Sequence, residues 1–416
     1  MSRTLWTDAD GVPHTLDQRH LPFERREIAL RSAVDCEQAI REMQVRGAPL
    51  IGAVAAWGLA LAAAADPSDE ALAAASQRLA AARPTAVNLR WALDRVRRRI
   101  EAAPAAQRAA LARAEAQAIC DEDVAVNLRI GTHGAELLRA LERRTGEPSQ
   151  AGTDHTAPSP TQDRSSTAAL ATSPETASLR LLTHCNAGGI ATIEHGTALA
   201  PVHRLHAEGV PVHVWVDETR PRNQGALTAM ELADQGIAHT FIVDNAGGWL
   251  MRQGFVDAVI VGCDRVAANG DVANKIGTYL KALAAHDNGI PFYVACPVSS
   301  IDPTIADGAS IPVEERDARE VTHVTGIVDT PSTRPPTWVQ ARVLAPGSPA
   351  ANPGFDVTPA RLVTALITEH GVCEASPQAI AALLRTASTA ASALASVQIR
   401  PPVTPENDSA ARQERS

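Results

Sequence analysis

Four clusters of polar and ionisable residues each follow a short apolar run. His184-Cys185-Asn186 follows LRLLT, Asp217-Glu218-Thr219-Arg220 follows VHVWV, Asp244-Asn245 follows FIV, and Cys263-Asp264-Arg265 follows AVIVG. If the runs are parallel strands of one open sheet, the clusters meet at the carboxyl edge where such sheets bind ligands. Two glycine pairs, Gly188-Gly189 and Gly247-Gly248, lie at the same edge and would let backbone N–H groups approach an anion, although each alone is more often a tight turn. Cys185 has two readings. It is either a small buried hydrophobe or a reagent whose place before a glycine turn and a helix start lowers its pKa. Asp264 is either a solvated or capping carboxylate or, if enclosed, an acid whose raised pKa lets it donate a proton. Cys263 points the other way in an extended chain and is assigned to the core.

Cations add a second theme. Arg46-Gly47-Ala48-Pro49, Arg83-Pro84-Thr85 and Asn274-Lys275 each read as the opening of a helix. A cation at a helix's positive end is electrostatically misplaced, and a bound phosphate would offset that cost at all three. The plainer alternative is pairing with carboxylates such as Asp271 or Glu218.

The elements that must position these groups fall into two kinds. From about Cys36 to Leu141 the chain is rich in Ala, Leu, Arg and Glu, with apolar residues at spacings of three and four, as in Trp91, Leu93, Val96 and Ile100. From Leu179, short apolar strands (LRLLT, VPVHVWV, HTFIV, AVIVG, FYVAC) alternate with helix-like segments such as Asn274–His286, the pattern of a parallel sheet covered on both faces. The expected class is therefore α/β: a mainly helical N-terminal domain (1–144), then a Rossmann-like, doubly wound domain (179–385). Between them, 145–178 is Ser, Thr, Ala and Pro and reads as a disordered insertion or linker. A second such stretch, 330–351, reads as a loop, and 386–416 as a disordered tail.

Composition narrows the classes of function. With 416 residues, 45% of them hydrophobic, the chain can build two cores. Its net charge of -9 and lack of a basic block argue against a nucleic-acid partner. The N-terminus lacks the look of a signal peptide. No apolar run approaches the roughly 20 residues of a membrane span; the longest, near Leu50–Ala65, reads as a buried helix. The six cysteines include no CxxC pair, so neither a zinc site nor a disulfide framework is indicated. A reduced, cytoplasmic protein is the expectation. A nucleotide-dependent dehydrogenase is disfavoured because GxGxxG does not follow the first strand.

Seven stretches in order (LDQRHLPFE, VRGAPLIG, RPTAVNL, THCNAGG, VDETRPRNQG, GCDRVAANGDVANKIGTY and NPGFDVTP) resemble the methylthioribose-1-phosphate isomerases. That family shares a superfamily with the ribose-1,5-bisphosphate isomerases and the regulatory subunits of the exchange factor for translation initiation factor two. The resemblance implies a helical N-terminal and a Rossmann-like C-terminal domain, a homodimer, and no metal, nucleotide or other cofactor. It implies Cys185 as the group that stabilises the transition state and Asp264 as the proton donor. Arg46, Gly47, Ala48, Arg83, Gln224, Asn274 and Lys275 are the implied substrate-binding set.

Departures from the family pattern cluster near the ligand edge: Arg222-Asn223 where Tyr-Leu is usual, Ala246-Gly247-Gly248-Trp249 where Met-Ala-Gly-His is usual, and His195-Gly196 where an aromatic-glycine pair is usual. They bear on the substrate's 5-substituent more than on the reaction. The implied reaction is conversion of 5-methylthioribose 1-phosphate to the ketose in methionine salvage. The alternatives are isomerisation of 5-deoxyribose 1-phosphate or ribose 1,5-bisphosphate, and a non-catalytic regulatory subunit that binds a sugar phosphate or nucleotide.

Overall fold

The computed structural model describes residues 3–84, 86–145, 179–328 and 337–398. The 145–178 insertion lies, apart from Thr145, outside the described residues, as does everything after Gln398.

The N-terminal part opens with a small antiparallel sheet of β1 (Leu5–Thr7), β2 (Pro13–Leu16) and β3 (Glu27–Ala29). Helix α1 (Ala33–Arg41) follows, started by a capping box in which Ser32 and Asp35 satisfy each other's backbone N–H groups. Next come α2 (Ala48–Ala65), α3 (Asp69–Ala82), α4 (Val87–Ile100) and α5 (Ala105–Thr145). Helix α2 is long and apolar enough to cross a membrane by length and composition, but two-thirds of it is buried inside the helical core. Its alanines let α1, α3, α4 and α5 pack around it. Leu93, Val96 and Ile100 join that core as their spacing predicts, whereas Trp91 is exposed and lies under the Arg95 guanidinium.

Helix α5 has 41 residues, about 60 Å at 1.5 Å per residue. Ala112, Ala116 and Ile119 belong to the helical core, while Ile130, Ala135 and Leu138 belong to the core of the next domain. One rigid rod thus ties the two parts together.

The second part runs β4 (Leu179–Thr183), α6 (Leu199–Ala207), β5 (Val212–Asp217), α7 (Gly225–Asp234), β6 (Ala238–Ile242), α8 (Ala246–Arg252), β7 (Ala258–Val261), β8 (Arg265–Ala267), β9 (Val272–Lys275), α9 (Thr278–Asp287), β10 (Phe292–Ala295) and β11 (Ile301–Asp302). It ends with α10 (Arg319–Thr322), β12 (His323–Val328), β13 (Thr337–Arg342), β14 (Phe355–Thr358), β15 (Ala365–Thr368), β16 (Gly371–Cys373) and α11 (Pro377–Gln398). The main sheet has the order β6-β5-β4-β7-β10-β15-β16; all neighbours are parallel except the β15–β16 pair. Alternation along the strands fills both faces. Leu181, Val214 and Val216 meet α5, α6 and α7, while Leu182, Trp215, Val259 and Val261 meet α8 and α9. This is the expected doubly wound domain. The chain winds outward from β4 in both directions, so the strand order reverses between β4 and β7, and the ligand crevice of such a sheet opens there.

Three boundaries differ from the sequence reading. Asn274 and Lys275 do not open a helix. They end β9, which pairs with β14 from far along the chain, and α9 begins only after Gly277. The 330–351 stretch contains β13, which pairs with β12 in an antiparallel hairpin. Residues 386–398, expected in the tail, continue α11, whose Ile380 and Leu383 pack on the sheet domain.

Candidate active site

One cleft at the β4/β7 switch point is lined by all nine residues that the resemblance assigns to the site: Arg46, Gly47, Ala48, Arg83, Cys185, Gln224, Asp264, Asn274 and Lys275. Cys185 is carried by the turn after β4, and Asp264 follows β7 with its N–H donating to Ala273 O of β9 at 3.0 Å. Arg46, Gly47 and Ala48 bring the amino end of α2 to the cleft. Gly47 has φ +93°, and a Cβ there would lie 2.0 Å from Ala191 O, so only glycine lets α2 approach the 188–192 turn. Arg83 does not open a helix as expected; it terminates α3, where a cation suits the helix dipole. Its enclosure in the cleft, not misplacement on a helix, is what would favour an anion at Arg83.

Burial dominates the electrostatics. It pushes the Asp264 carboxyl above its ordinary range against the pull of Lys275, Arg83 and Arg316. This is the environment of a carboxyl that holds a proton to donate. Burial also pulls Lys275 and Arg83 down, and takes Arg46 to about 10 with help from Arg222, Arg83 and Arg316. Arg46 makes no ion pair to any described residue, and Arg83 reaches Glu314 only at 3.8 Å. Lys275 Nζ donates to Gly354 O at 2.8 Å and sits over the Phe355 ring. Gln224 is buried with its Oε1 lacking a hydrogen-bond partner, an acceptor that a hydroxyl in the cleft would satisfy.

The thiol corrects an expectation. Burial raises the Cys185 pKa, with Asp264 adding to the rise and Lys275 and Arg46 opposing it. The element after the glycine turn is a single three-residue 3₁₀ turn, Gly189–Ala191, too short to supply much dipole. Cys263 packs against the core as expected but also faces the cleft. It is half-buried, and its thiol is in hydrogen-bond contact with buried Cys296.

Behind Cys185, His184 is fixed at both ring nitrogens: Nδ1 lies 3.0 Å from Asp217 Oδ2 and Nε2 lies 2.8 Å from Ile276 O. His184, Asp217 and Asp244 are spaced closely enough to share a metal ion, yet the cluster already contains a cation. Lys281 Nζ lies 3.2 Å from Asp217 Oδ2 and also donates to Asp244 O.

With this geometry in view, similarity to other proteins decides the family. Residues 44–375 match the Initiation factor 2 subunit family. The chain is 53% identical over 384 residues to methylthioribose-1-phosphate isomerase of Methylorubrum populi, covering 92% of this chain and 96% of that one. It is 51% identical over 385 residues to the Gluconobacter oxydans protein of the same name, with the same coverage. The chain belongs to the methylthioribose-1-phosphate isomerase branch of the Initiation factor 2 subunit family. Its fold matches the crystal structure of 5-methylthioribose 1-phosphate isomerase from Pyrococcus horikoshii, with TM-score 0.73, 37% identity, and coverage of 93% and 96% of the two chains. It also matches translation initiation factor eIF-2B subunit delta from A. fulgidus, with TM-score 0.69, 34% identity, and coverage of 90% and 96%.

For a member of this isomerase branch, the cleft holds two cations that sequence reasoning did not assign to it, Arg222 and Arg316. Arg222 was visible only as a departure from the family pattern. Arg316 gave no signal at all, because its partner Glu320 stands four residues on, like any exposed helix pair; their ions lie 3.2 Å apart. Glu320 also pairs with Arg222 at 2.8 Å, so one carboxylate neutralises both arginines in part.

Proposed function

We propose that the chain is an aldose–ketose isomerase that converts 5-methylthioribose 1-phosphate to 5-methylthioribulose 1-phosphate, a step of methionine salvage. The observation that carries this reading is the cleft itself, where Asp264 and Cys185 share one enclosure with Arg46, Arg83 and Lys275. Phosphate on C1 blocks the spontaneous ring opening available to free sugars. Asp264 gives its proton to the ring oxygen as the bond from that oxygen to C1 breaks. Hydrogen then moves from C2 to C1, and the C2 hydroxyl loses its proton back to the Asp264 carboxylate as the ketone forms. Atoms and charge balance with no co-reactant, which accords with the reading that no cofactor is used. Cys185 lies against C1 and C2 as a neutral, polarizable thiol. The cations hold the phosphate, and Gln224 Oε1 accepts from a sugar hydroxyl.

The 5-methylthio reading is supported by the wider cavity that shares Arg46 and Arg222 with the cleft. Leu21, Phe23, Leu227 and Trp338 give it apolar walls, and Arg19 there is paired with Asp17 and Glu42. Those four side chains suit an apolar substituent; because Arg222, Arg319 and His323 line the same cavity, the choice over a second phosphate rests on the relatives at 51–53% identity that are named for the methylthio sugar. The enzyme acts in the cytoplasm as a homodimer, without nucleic acid or membrane. The β6 edge of the sheet, unpaired among the described residues, supports a dimer: β6 and the turn after it expose Phe241 and Val243, and α8 exposes Trp249. A solution mass near twice the chain's 43.7 kDa is expected, and a monomer would contradict this part of the reading.

The deciding experiment is a panel of 5-methylthioribose 1-phosphate, 5-deoxyribose 1-phosphate and ribose 1,5-bisphosphate, with ketose product followed by NMR. The methylthio sugar is expected to give the highest kcat/KM. Preference for the bisphosphate would overturn the substrate, and no turnover of any would favour a binding subunit. In the same assay Arg83→Ala should raise KM roughly ten- to a hundredfold, the cost of about 1.5–3 kcal/mol for one charge-assisted contact. Arg83→Lys should recover only part of it. Inorganic phosphate should compete less well against the Ala variant; unchanged competition with a lowered Tm would make Arg83 a stability residue only.

A further inference from the structure

We propose that Thr219 and Thr228 form a clamp that aims the Cys185 thiol, a positioning role that rests on the reading of Cys185 as a reacting group. Cys185 has φ +68°, in the left-handed region that non-glycine residues rarely occupy. Such a conformation persists only where the surroundings over-determine it. Both of its backbone groups are held by threonine hydroxyls from other elements. The Cys185 N–H donates to Thr219 Oγ1 at 2.8 Å, and the Cys185 carbonyl accepts from Thr228 Oγ1 at 2.8 Å.

Each hydroxyl also holds a second partner. Thr219 Oγ1 accepts from Cys185 and donates its one proton to Asp217 O at 3.1 Å. Thr228 Oγ1 donates to Cys185 and accepts from Asn186 Nδ2 at 3.2 Å. Both threonines are buried, so water does not compete for these bonds. Thr219 is itself left-handed, with φ +61°, and the Asp244 carboxylate holds it there by accepting from the Thr219 and Arg220 N–H groups, each at 2.8 Å. The clamp therefore runs from the end of β6 through the end of β5 to the end of β4, with α7 closing the other side. Relaxation of Cys185 to negative φ would swing its Cβ, and so its sulfur, away from the aim these bonds impose.

The test removes each hydroxyl without changing shape, by Thr219→Val and Thr228→Val, and restores it with Thr219→Ser and Thr228→Ser. The readouts are kcat, KM, competition by inorganic phosphate, and the rate at which iodoacetamide alkylates Cys185, followed by mass spectrometry. Each Val variant is expected to lose roughly ten- to a hundredfold in kcat, the order expected for misplacing a reacting group, with KM and phosphate competition nearly unchanged and the alkylation rate altered. Each Ser variant should recover most of the loss. If a Val variant does not fold, the corresponding Ala variant takes its place.

Cys185→Ser, measured beside them, separates two failures. Loss of turnover in Cys185→Ser with wild-type kcat in folded Val or Ala variants would overturn the clamp alone. Retained turnover in Cys185→Ser would overturn the role of the thiol. Equal changes in KM and kcat, or no recovery by Ser, would reduce the threonines to structural residues.

Discussion

Asp264→Asn is expected to lower kcat by about 10²–10⁴, the range that a positioned general acid contributes. Asn fills the same space and keeps the backbone bond to Ala273, but it has no proton to give to the ring oxygen and cannot take one back from the C2 hydroxyl. The pH dependence follows from the direction of the shift. Burial raises the Asp264 pKa, so its protonated form is the one the fold favours. Activity that depends on that proton is present at pH below the raised value and declines as pH climbs through it. The wild type should therefore show an alkaline limb in kcat that Asp264→Asn lacks.

In Asp264→Asn, Tm should move the other way from kcat. A carboxyl whose folded pKa lies above its unfolded value contributes stability below the unfolded pKa and loses it as pH rises through the folded one. Above the unfolded pKa the buried carboxyl is thus a cost to the fold that Asn avoids, and the Tm of Asp264→Asn should equal or exceed that of the wild type there. A variant that keeps more than a tenth of wild-type kcat, or loses both kcat and Tm together, would remove Asp264 from the role of acid.

Cys185→Ser should be nearly as damaging, with kcat lower by about 10²–10³, comparable to removal of one preorganised contact to the transition state. Serine replaces the thiol with a smaller hydroxyl and so loses the polarizable sulfur. KM should change little if, as proposed, the phosphate is bound by Arg46, Arg83 and Lys275, which line the same cleft from other elements. Since burial raises the thiol pKa, Cys185 should react slowly with iodoacetamide at neutral pH and faster only above the ordinary thiol range. Phosphate bound in the cleft should slow it further by occupying the space beside the thiol. Fast alkylation at neutral pH would show a thiolate, and a Cys185→Ser variant with near wild-type turnover would exclude sulfur from the reaction.

Much of the architecture is written in local patterns. Alternation along LRLLT and VHVWV, and the spacing of Leu93, Val96 and Ile100, depend on which faces of one element are buried, and an element's own residues carry that information. The glycine turn after β4 and the RGAP opening of α2 are local too, because a positive φ or a helix start constrains the residues that adopt it. With the rule that parallel sheets bind ligands at their carboxyl edge, these patterns drew Cys185 and Asp264 to one edge, whereas Gln224 and the full binding set came from the family resemblance.

What the sequence left open depended on partners far along the chain. Asn274 and Lys275 look helical beside TYLKALAAH, but pairing with Phe355–Thr358 makes them a strand. The hairpin of β12 and β13 spans a stretch rich in Pro and Ser, and its pairing offset a weak local signal. Arg316 looks like a surface cation until the fold turns it into the cleft. The state of Cys185 shows the limit most plainly. Its neighbours in sequence argue for a lowered pKa, whereas the enclosure built by β5, α7, α2 and β9 raises it. Desolvation is set by every atom that surrounds a group, and most of those atoms come from elsewhere in the chain, so only the tertiary structure could decide it.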